Sequence, residues 1–229
     1  MTELAAANYR TLTFDCYGTL IDWENGILGY LQPLLESYDV HVVDNWVLEF
    51  FAECEPQAQA QGGSYRDVLG NVLARFGTRL AFAPNAESME DFANSIEYWQ
   101  PYPDTTAALR SLAGKFSLAV ISNIDNDLFA YSARYLGVDF SSVTTAQDAG
   151  VYKPDPGIFA AALKTVQGPV LHVAQSTFHD IVPASQLGLD TVWIERPDSA
   201  SAKEPQAVDA KPTWTFPTLA DFASALLSS

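Results

Sequence analysis

The stretch from Arg10 to Asp22, RTLTFDCYGTLID, holds the feature around which the rest of the chain is organised. From Thr11 to Phe14, β-forming residues alternate polar and apolar, which predicts a strand. The pattern breaks at Asp15 and Gly18, so the strand ends in a tight turn that carries an acid. Ligands of open α/β sheets bind just beyond the carboxyl ends of strands, which makes Asp15 a site candidate.

The segment after this turn has a helical pattern. Breaks fall at residues 61–64 and around Pro84, and no stretch alternates like a strand. We therefore predict a helical insertion over residues 22–99. Its amphipathic runs are Ile27–Leu35, Asn45–Cys54, Tyr65–Phe76 and Ser88–Tyr98.

Strands and helices alternate in the rest of the chain. The predicted strands are Ser117–Ile121, Ser142–Thr144, Val170–Ala174, Thr191–Ile194 and Trp214–Phe216. The predicted helices are Asp104–Ala113, with Asp104 as N-cap, Asn126–Leu136, Asp155–Val166, Ile181–Leu187 and one from Leu219. Repeated βα units predict an α/β fold with a doubly wound parallel sheet. Residues 1–21 and 100–229 would form this core, with an exposed loop at Asp198–Pro212.

The composition argues against several classes of protein. The 229 residues carry a formal charge of −16, which disfavours binding to nucleic acid. No apolar run is long enough to span a membrane, and the first ten residues lack the pattern of a secretory signal. Cys16 and Cys54 give neither a disulfide framework nor a metal-binding spacing. We expect a cytoplasmic protein without a nucleic acid or membrane partner.

Three further predicted strands lead into polar residues. Ser122 and Asn123 end one strand, and hydroxyl and amide donors there suit the binding of an anionic group. Lys153 lies just before a helix, and a cation near a carboxylate keeps that carboxylate ionised, as a nucleophile requires. Asp180 follows the strand Val170–Ala174. We expect these groups to share one site with Asp15.

The segment FDCYGTL resembles the first motif of the haloacid dehalogenase-like superfamily, and the segments ISN, YKPDP and HVAQSTFHD resemble its later motifs in order. The resemblance covers nearly the whole chain. It implies a Rossmann-like core whose helical insertion is a cap that closes over the active site. It also implies that Asp15 is a nucleophile that forms a covalent aspartyl intermediate.

The same resemblance implies roles for the other residues of the site. Thr19 would orient the nucleophile, and Lys153 would support its charge. Ser122 and Asn123 would bind the substrate near its carboxylate, and Asp180 would help to place the hydrolytic water.

Two positions depart from the pattern of the phosphatases in this superfamily. Tyr17 stands where they have a second Asp as acid and base, and Ser176 stands where they have a carboxylate of the Mg²⁺ site. Both features resemble the 2-haloacid dehalogenase branch, whose members attack carbon and need no metal. A halide leaves as a weak base and needs no acid, so the missing Asp fits displacement at carbon. We therefore expect no cofactor.

The match to true dehalogenases is incomplete. They carry an Arg early in the cap, whereas no Arg or Lys occurs between Thr11 and Tyr65, and Phe159 replaces a Tyr of their third motif. A closer resemblance, in FDCYGTLIDWE, ISNID, TAQD and the segment after His179, is to the azetidine-2-carboxylate hydrolase group. There the Asp opens a strained cyclic amine at carbon, so the resemblance leaves the leaving group open between a halide and a ring amine.

The remaining substrate-binding candidates have more than one interpretation. Trp23 either contacts substrate or packs between core and cap. His179 is either a proton donor or an ion-pair partner of the neighbouring Asp180, and Trp193 is better explained by core packing. Cys16 is more often a small buried hydrophobe than a nucleophile. We count the following as substrate-binding: Cys16, Tyr17, Trp23, Ser122, Asn123, Ser176 and His179.

Two alternatives to this hydrolase remain. The first is a Mg²⁺-dependent phosphatase that has lost its usual acid and uses Asp15 and Asp180 as metal ligands. The second is a module that binds a small carboxylate without turning it over, although the presence of Asp15 and Lys153 argues against it. Homologues often pair through the cap, so the resemblance also implies a possible homodimer.

Overall fold

A computed structural model describes residues 4–197, 199 and 210–229 of the chain. Its strands are β1 (Thr11–Phe14), β2 (Ser117–Ser122), β3 (Ser142–Thr145), β4 (Val170–Ala174), β5 (Asp190–Ile194) and β6 (Trp214–Phe216). They form one sheet in the order β3-β2-β1-β4-β5-β6, and every neighbouring pair is parallel. The prediction of an α/β fold with a doubly wound parallel sheet is confirmed.

Helices connect the strands, as the βα pattern predicts. They are α1 (Trp23–Ser37), α2 (Asp44–Gln59), α3 (Tyr65–Leu80), α4 (Ala86–Asn94), α5 (Thr105–Ala113), α6 (Asn126–Leu136), α7 (Ala146–Ala149), α8 (Pro156–Leu163), α9 (Val182–Gln186) and α10 (Leu219–Leu227). Short 3₁₀ turns lie at Ala6–Asn8 and Ser95–Tyr98, and a π-helical turn lies at Thr177–Ile181. Within the described ranges, no helix is long and apolar enough to cross a membrane.

Strand β1 is buried along its whole length. Thr11 and Thr13 are as inaccessible as Leu12 and Phe14, so the alternation in sequence marks no solvent-exposed face. The reason is that β1 has a neighbour on each side, and helices cover both faces of a parallel sheet. The Thr13 hydroxyl contacts Nδ1 of His172 at 3.0 Å, which satisfies both polar groups inside the core.

The segment between β1 and β2 begins with the helices α1 to α4. Side-chain caps mark the starts of α1 and α3: Asp22 accepts from the amide of Asn25 at 3.1 Å, and Ser64 forms a capping box with Asp67. Each helix buries an apolar stripe, which for α3 consists of Val68, Leu69, Val72, Leu73 and Phe76. The helical pattern thus matches the structure, while the division into a core and a cap at residues 22 and 99 stays a prediction.

Three local predictions need correction or qualification. Asp104 does not cap α5 with its side chain; its carboxylate accepts from Arg196 at 2.6 Å and from the amide of Ala220 at 3.1 Å. The predicted helix Asp155–Val166 stops at Leu163, and the one predicted from Ile181 is preceded by a π-helical turn. Within the predicted loop 198–212, residues 198 and 200–209 lie outside the described residues.

Candidate active site

Four polar side chains meet at the carboxyl edge of the sheet. Asp15 follows β1, Ser122 ends β2, Lys153 lies between α7 and α8 beyond β3, and Asp180 follows β4. Strand β1 lies between β2 and β4, so the winding of the sheet reverses direction there. Such a switch point leaves a crevice in which the neighbouring strand ends present their loops to a ligand.

Lys153 joins the two carboxylates of the site. Its Nζ lies 2.7 Å from Oδ1 of Asp15 and 2.8 Å from Oδ1 of Asp180, and it donates to the carbonyl of Ile121 at 3.1 Å. An ammonium has three protons, so these three bonds engage all of them. Only 2% of the lysine side chain is exposed. A buried charge of this kind is tolerated because it is fully paired and hydrogen-bonded.

The turn after β1 holds the second oxygen of Asp15. Oγ1 of Thr19 donates to Oδ2 of Asp15 at 2.7 Å and accepts from the amide of Gln175 at 2.8 Å. Gly18 has a φ of 97°, and a Cβ there would lie 3.2 Å from the indole nitrogen of Trp23. The turn therefore needs glycine at this position. Both oxygens of Asp15 are held in place before any ligand arrives.

Asp180 has a second buried partner, His172, that the sequence interpretation missed. Nε2 of His172 lies 3.0 Å from Oδ1 of Asp180, and its Nδ1 contacts the Thr13 hydroxyl. Phe159, at the position where dehalogenases carry Tyr, packs edge-on against the imidazole with ring centroids 5.2 Å apart. A histidine inside the otherwise apolar strand β4 was the available signal, because buried polar groups need partners.

The pKa shifts of the three charged groups differ. Burial raises the pKa of Asp15, and the charge of Asp180 adds to this, although Lys153 and Thr19 oppose it. Burial also works to raise the pKa of Asp180, but Lys153 and His172 outweigh it and hold that pKa below its ordinary value. Burial works to lower the pKa of Lys153, but the two carboxylates outweigh it and raise that pKa. Asp180 and Lys153 therefore stay charged at neutral pH.

A cavity of about 350 Å³ lies against this cluster. We call Asp15, Ser122, Lys153 and Asp180 the floor of the cavity. The helical wall is our name for Trp23, Ile27, Phe51, Glu55 and Tyr65, which come from α1, α2 and α3. A volume of this size lies at the small end of the usual range for ligand pockets, which suits a small molecule.

Two polar atoms of the floor lack a partner. Oγ of Ser122 and Oδ2 of Asp180 are buried and make no hydrogen bond within the described part of the chain. Because unpaired buried polar atoms are costly, both atoms are suited to bind a ligand or a water molecule. The floor thus presents a hydroxyl and an anionic oxygen beside the held carboxylate of Asp15.

Tyr17 and Asn123 line the cavity but also hold parts of the scaffold. The Tyr17 hydroxyl contacts that of Ser132 at 2.9 Å. The Asn123 amide donates to the carbonyl of Lys153 at 3.1 Å, and its oxygen accepts from the Lys153 amide at 2.6 Å. Asn123 therefore fixes the loop that carries the lysine, a contact that the predicted role in substrate binding did not include.

Trp23, Ser176 and His179 also line the cavity. The Ser176 hydroxyl lies 3.2 Å from Nδ1 of His179, and burial lowers the pKa of this histidine. Over the described residues, the carboxylate of Asp180 is paired with the ammonium of Lys153 and lies 3.0 Å from Nε2 of His172. Of the two roles considered for His179, the ion pair with Asp180 is not formed among these residues, and the role of proton donor stays a prediction.

Cys16 and Trp193 do not reach the cavity. The side chain of Cys16 is fully buried in the hydrophobic core, where burial raises the pKa of its thiol. Cys16 is not among the residues that line the cavity, so its predicted role in substrate binding gains no support from the geometry and stays a prediction. Trp193 donates its indole N–H to the carbonyl of Gln175 at 2.8 Å and so supports the loop after β4.

The sequence interpretation also missed Glu55 and Tyr65 of the helical wall. The Tyr65 hydroxyl donates to Oε1 of Glu55 at 2.6 Å. Glu55 lies one helical turn after Phe51 and one before Gln59, on the face of α2 that lines the cavity. That spacing was visible in the sequence, but which helix face turns to the site depends on packing.

The polar groups of the site fit a magnesium ion poorly. Mg²⁺ takes six oxygen ligands in an octahedral arrangement. Here both carboxylates already bind the ammonium of Lys153, and the hydroxyl of Ser176 contacts His179. Among the residues described, no group of three or more His, Cys, Asp or Glu is placed to hold a metal.

Comparisons with known proteins identify relatives of this chain. The family of haloacid dehalogenase-like hydrolases matches residues 9–174. An (S)-2-haloacid dehalogenase from Pseudomonas fluorescens is 25% identical over 97% of this chain and 98% of its own length.

Two solved structures share the fold. The L-2-haloacid dehalogenase of Xanthobacter autotrophicus with chloropropionic acid covalently bound has a TM-score of 0.77 and 20% identity, over 94% of this chain and 97% of that one. The hydrolase YfnB from Bacillus subtilis, bound to magnesium, has a TM-score of 0.79 and 19% identity, over 96% of this chain and 99% of that one. A dehalogenase and a magnesium-bound hydrolase thus share this fold, so the fold alone does not establish the function.

Proposed function

The chain belongs to the haloacid dehalogenase-like hydrolases, and from that premise we propose that it is a metal-independent hydrolase of a small carboxylate. It displaces a leaving group, either a halide or a strained ring amine, from the carbon next to the carboxylate. The reaction proceeds through an ester on Asp15. The similarity of the chain to (S)-2-haloacid dehalogenases supports displacement at carbon. Which leaving group is displaced depends on the substrate that the cavity binds.

The first step is attack by the Asp15 carboxylate on carbon. Lys153 and Thr19 hold one oxygen each, and each oxygen keeps a lone pair. A carbon–oxygen bond forms as the bond to the leaving group breaks, and the electron pair departs with that group. A weakly basic leaving group needs no proton, which fits Tyr17 at the position of the usual acid. Ser122 offers its unpaired hydroxyl to the substrate carboxylate.

The second step is hydrolysis of the ester by water. Oδ2 of Asp180 is the unpaired anionic oxygen beside Asp15, and it can accept a hydrogen bond from the attacking water. Lys153 stabilises the negative oxygen that develops on the ester carbonyl. The proton released by the water passes to the departing alkoxide. One oxygen of the water remains in the Asp15 carboxylate, and the product keeps an oxygen of the enzyme.

One observation carries this proposal: the ammonium of Lys153 lies between the two carboxylates, at 2.7 and 2.8 Å. In this arrangement the positive charge that a metal would supply comes from the chain itself. The Mg²⁺-dependent phosphatase remains the alternative because a structural neighbour is bound to magnesium. It would require further oxygen ligands for the ion beside the unpaired Oδ2 of Asp180, where Tyr17 and Ser176 stand in place of carboxylates.

A single turnover in H₂¹⁸O with EDTA tests the proposal. The substrates are a panel of 2-haloacids and azetidine-2-carboxylate, and mass spectrometry reads the peptide that contains Asp15. We expect ¹⁸O in the Asp15 carboxylate without added metal, and the active panel member identifies the leaving group. Turnover that requires Mg²⁺ and a phosphate ester would overturn the proposal in favour of the phosphatase.

A further inference from the structure

A second buried cation lies behind the candidate active site. Among the lysine and arginine side chains that the structure describes, those of Lys153 and Arg196 are buried. Arg196 follows the end of β5, so it stands at the same edge of the sheet as the floor, but it is not among the described residues that line the cavity. A buried charge is costly unless it is paired, and the proposed reaction gives Arg196 no role. Its partners therefore have to explain why it is there.

One partner of Arg196 is the turn that carries the nucleophile. Nη2 of Arg196 donates to the carbonyl oxygen of Thr19 at 2.7 Å. The hydroxyl of the same Thr19 donates to Oδ2 of Asp15, also at 2.7 Å. The guanidinium thus holds the backbone of a residue whose side chain holds one carboxylate oxygen of Asp15.

The other partners lie on the chain that returns from helices α1 to α4. Nη1 of Arg196 donates to Oδ1 of Asp104 at 2.6 Å, and the guanidinium carbon lies 4.1 Å from the ring centroid of Tyr102. The amide of Tyr102 donates to the carbonyl of Leu20 at 3.0 Å, so the outgoing and the returning segments are also bonded to each other. A guanidinium is a rigid planar fork and suits two acceptors at once. Arg196 therefore clamps both segments from the side of the sheet.

The backbone of Arg196 is held in a costly conformation. Its φ is 48°, in the left-handed region that residues with a Cβ rarely adopt. Its Nε is buried without a partner in the described part of the chain, which adds a second cost. Its amide donates to the carbonyl of Pro217 at 3.1 Å, which helps to fix this conformation. Costs of this kind are typical of functional positions.

We propose that Arg196 is a positioning residue of the reaction: it holds the turn after β1, and through Thr19 it keeps the carboxylate of Asp15 aligned with the carbon that it attacks. The inference rests on the proposed function and adds a residue to it. Small displacements of a reacting group are costly in rate. Because Arg196 does not line the cavity, its loss should lower kcat and leave KM nearly unchanged.

A double-mutant cycle with Thr19 tests the inference. The substrate is the member of the panel of 2-haloacids and azetidine-2-carboxylate that the unchanged protein turns over. Arg196→Met should lower kcat by about 30-fold and change KM by less than about twofold. In a Thr19→Val background, which lacks the hydroxyl, the same change should lower kcat by less than about threefold, because its effect passes through that hydroxyl.

Two further variants separate positioning from a general loss of structure. Arg196→Lys keeps the charge and can donate to the carbonyl of Thr19, but it lacks the fork that reaches Asp104 as well, so kcat should fall by only about fivefold. This variant takes the place of Arg196→Met in the cycle if the latter does not fold. The control is Arg110→Met, an exposed arginine on α5, which should change neither constant.

Hydrogen exchange followed by mass spectrometry tests the clamp without a substrate. The amides of Leu20 and Ile21 donate to the carbonyl of Cys16, so their exchange reports on the order of the turn. In Arg196→Met, or in Arg196→Lys if the former does not fold, they should exchange at least about tenfold faster. The amides of β2 should exchange at an unchanged rate, since Arg196 does not contact that strand.

Two results would overturn the inference. One is an effect of Arg196→Met on kcat that is just as large in the Thr19→Val background, because the arginine would then act independently of that hydroxyl. The other is exchange that stays unchanged in the turn or rises equally in β2. The two proposals fail separately: no turnover of any panel member refutes the proposed function, whereas the exchange pattern still decides whether Arg196 holds the turn.

Discussion

The floor of the cavity and its helical wall are built by opposite means. In the floor, Lys153 and Thr19 hold Asp15 through hydrogen bonds of 2.7 Å. In the wall, packed rings such as Trp23 and Phe51 surround a single carboxylate, that of Glu55. A site whose reactive groups are held so closely has little freedom to adapt, whereas an aromatic wall can change its shape with little effect on the reacting atoms.

This difference suggests that the floor determines the reaction and the wall determines the substrate. Changes in the floor should then lower kcat and disturb stability, because they leave buried charges unpaired. Changes in the wall should alter KM and leave kcat nearly unchanged, because they remove binding that is the same in the ground state and in the transition state. The four predictions that follow test this division.

The largest effect is expected for Asp15→Asn. The amide cannot form the ester, so kcat should fall by at least about 10³-fold on any substrate that the enzyme turns over. The fold should persist, because the amide is nearly isosteric and can still bond with Thr19. Steady-state kinetics measure the loss, and Asp139→Asn, at an exposed position, is the control. Activity within tenfold of the unchanged protein would show that Asp15 is not the nucleophile.

Lys153→Met should have the next largest effect, on stability as well as on rate. Two buried carboxylates lose their shared cation, which costs roughly 3–5 kcal/mol at pH 7. Without the lysine the pKa of each carboxyl is raised in the folded state. The penalty is therefore small below their unfolded pKa values, and it grows as the pH rises through the raised folded values. Urea unfolding at pH 4 and pH 7 measures it.

The control for this variant is Lys164→Met, which removes an exposed lysine. A penalty that is the same at both pH values would show that the loss is one of packing rather than of charge pairing.

His172→Leu should have a smaller effect in the same region. The substitution removes the imidazole that helps to keep the pKa of Asp180 low. The free energy of unfolding should fall by about 1–3 kcal/mol at neutral pH. Because the pKa of Asp180 is depressed in the folded state, its carboxylate stabilises the fold at a pH above the pKa of the unfolded state. This contribution is lost as the pH falls through the pKa of the folded state. The variant should therefore match the unchanged protein most closely in acid. Thermal unfolding across this pH range measures the effect.

The matched control is His41→Leu at an exposed position. If His172→Leu lowers stability equally at all pH values, the histidine acts through packing against Phe159 and not through Asp180.

The smallest effect is expected in the helical wall, for Trp23→Leu. The indole packs against Phe51 and lines the cavity, whereas the carboxylate of Asp15 is held by other residues such as Thr19. KM should rise by about tenfold while kcat changes by less than about twofold. Trp46→Leu, on α2 but away from the cavity, should change neither constant appreciably. A large fall in kcat would break the division between wall and floor.

The sequence was sufficient to predict the sheet and four of the groups that meet at its edge. Alternation of βα units is a local pattern, and polar residues at the ends of apolar strands are brought together by parallel topology alone. Asp15, Ser122, Lys153 and Asp180 could therefore be named before the structure. The resemblance to the superfamily's motifs also marked Tyr17 and Ser176 as departures from the phosphatase pattern, because it concerns positions within a motif.

What the tertiary structure alone decided is which of these groups bind one another and what else faces the cavity. Lys153 and Asp15 bind each other although they are far apart in sequence, and Glu55 on α2 faces the same cavity from another distant segment. Their geometry therefore depends on how whole elements pack. Local periodicity cannot show that His172 lies under Asp180 or that Cys16 turns into the core. Residue type and spacing determine elements and their ends, whereas contacts between elements are set by the packing of the complete chain.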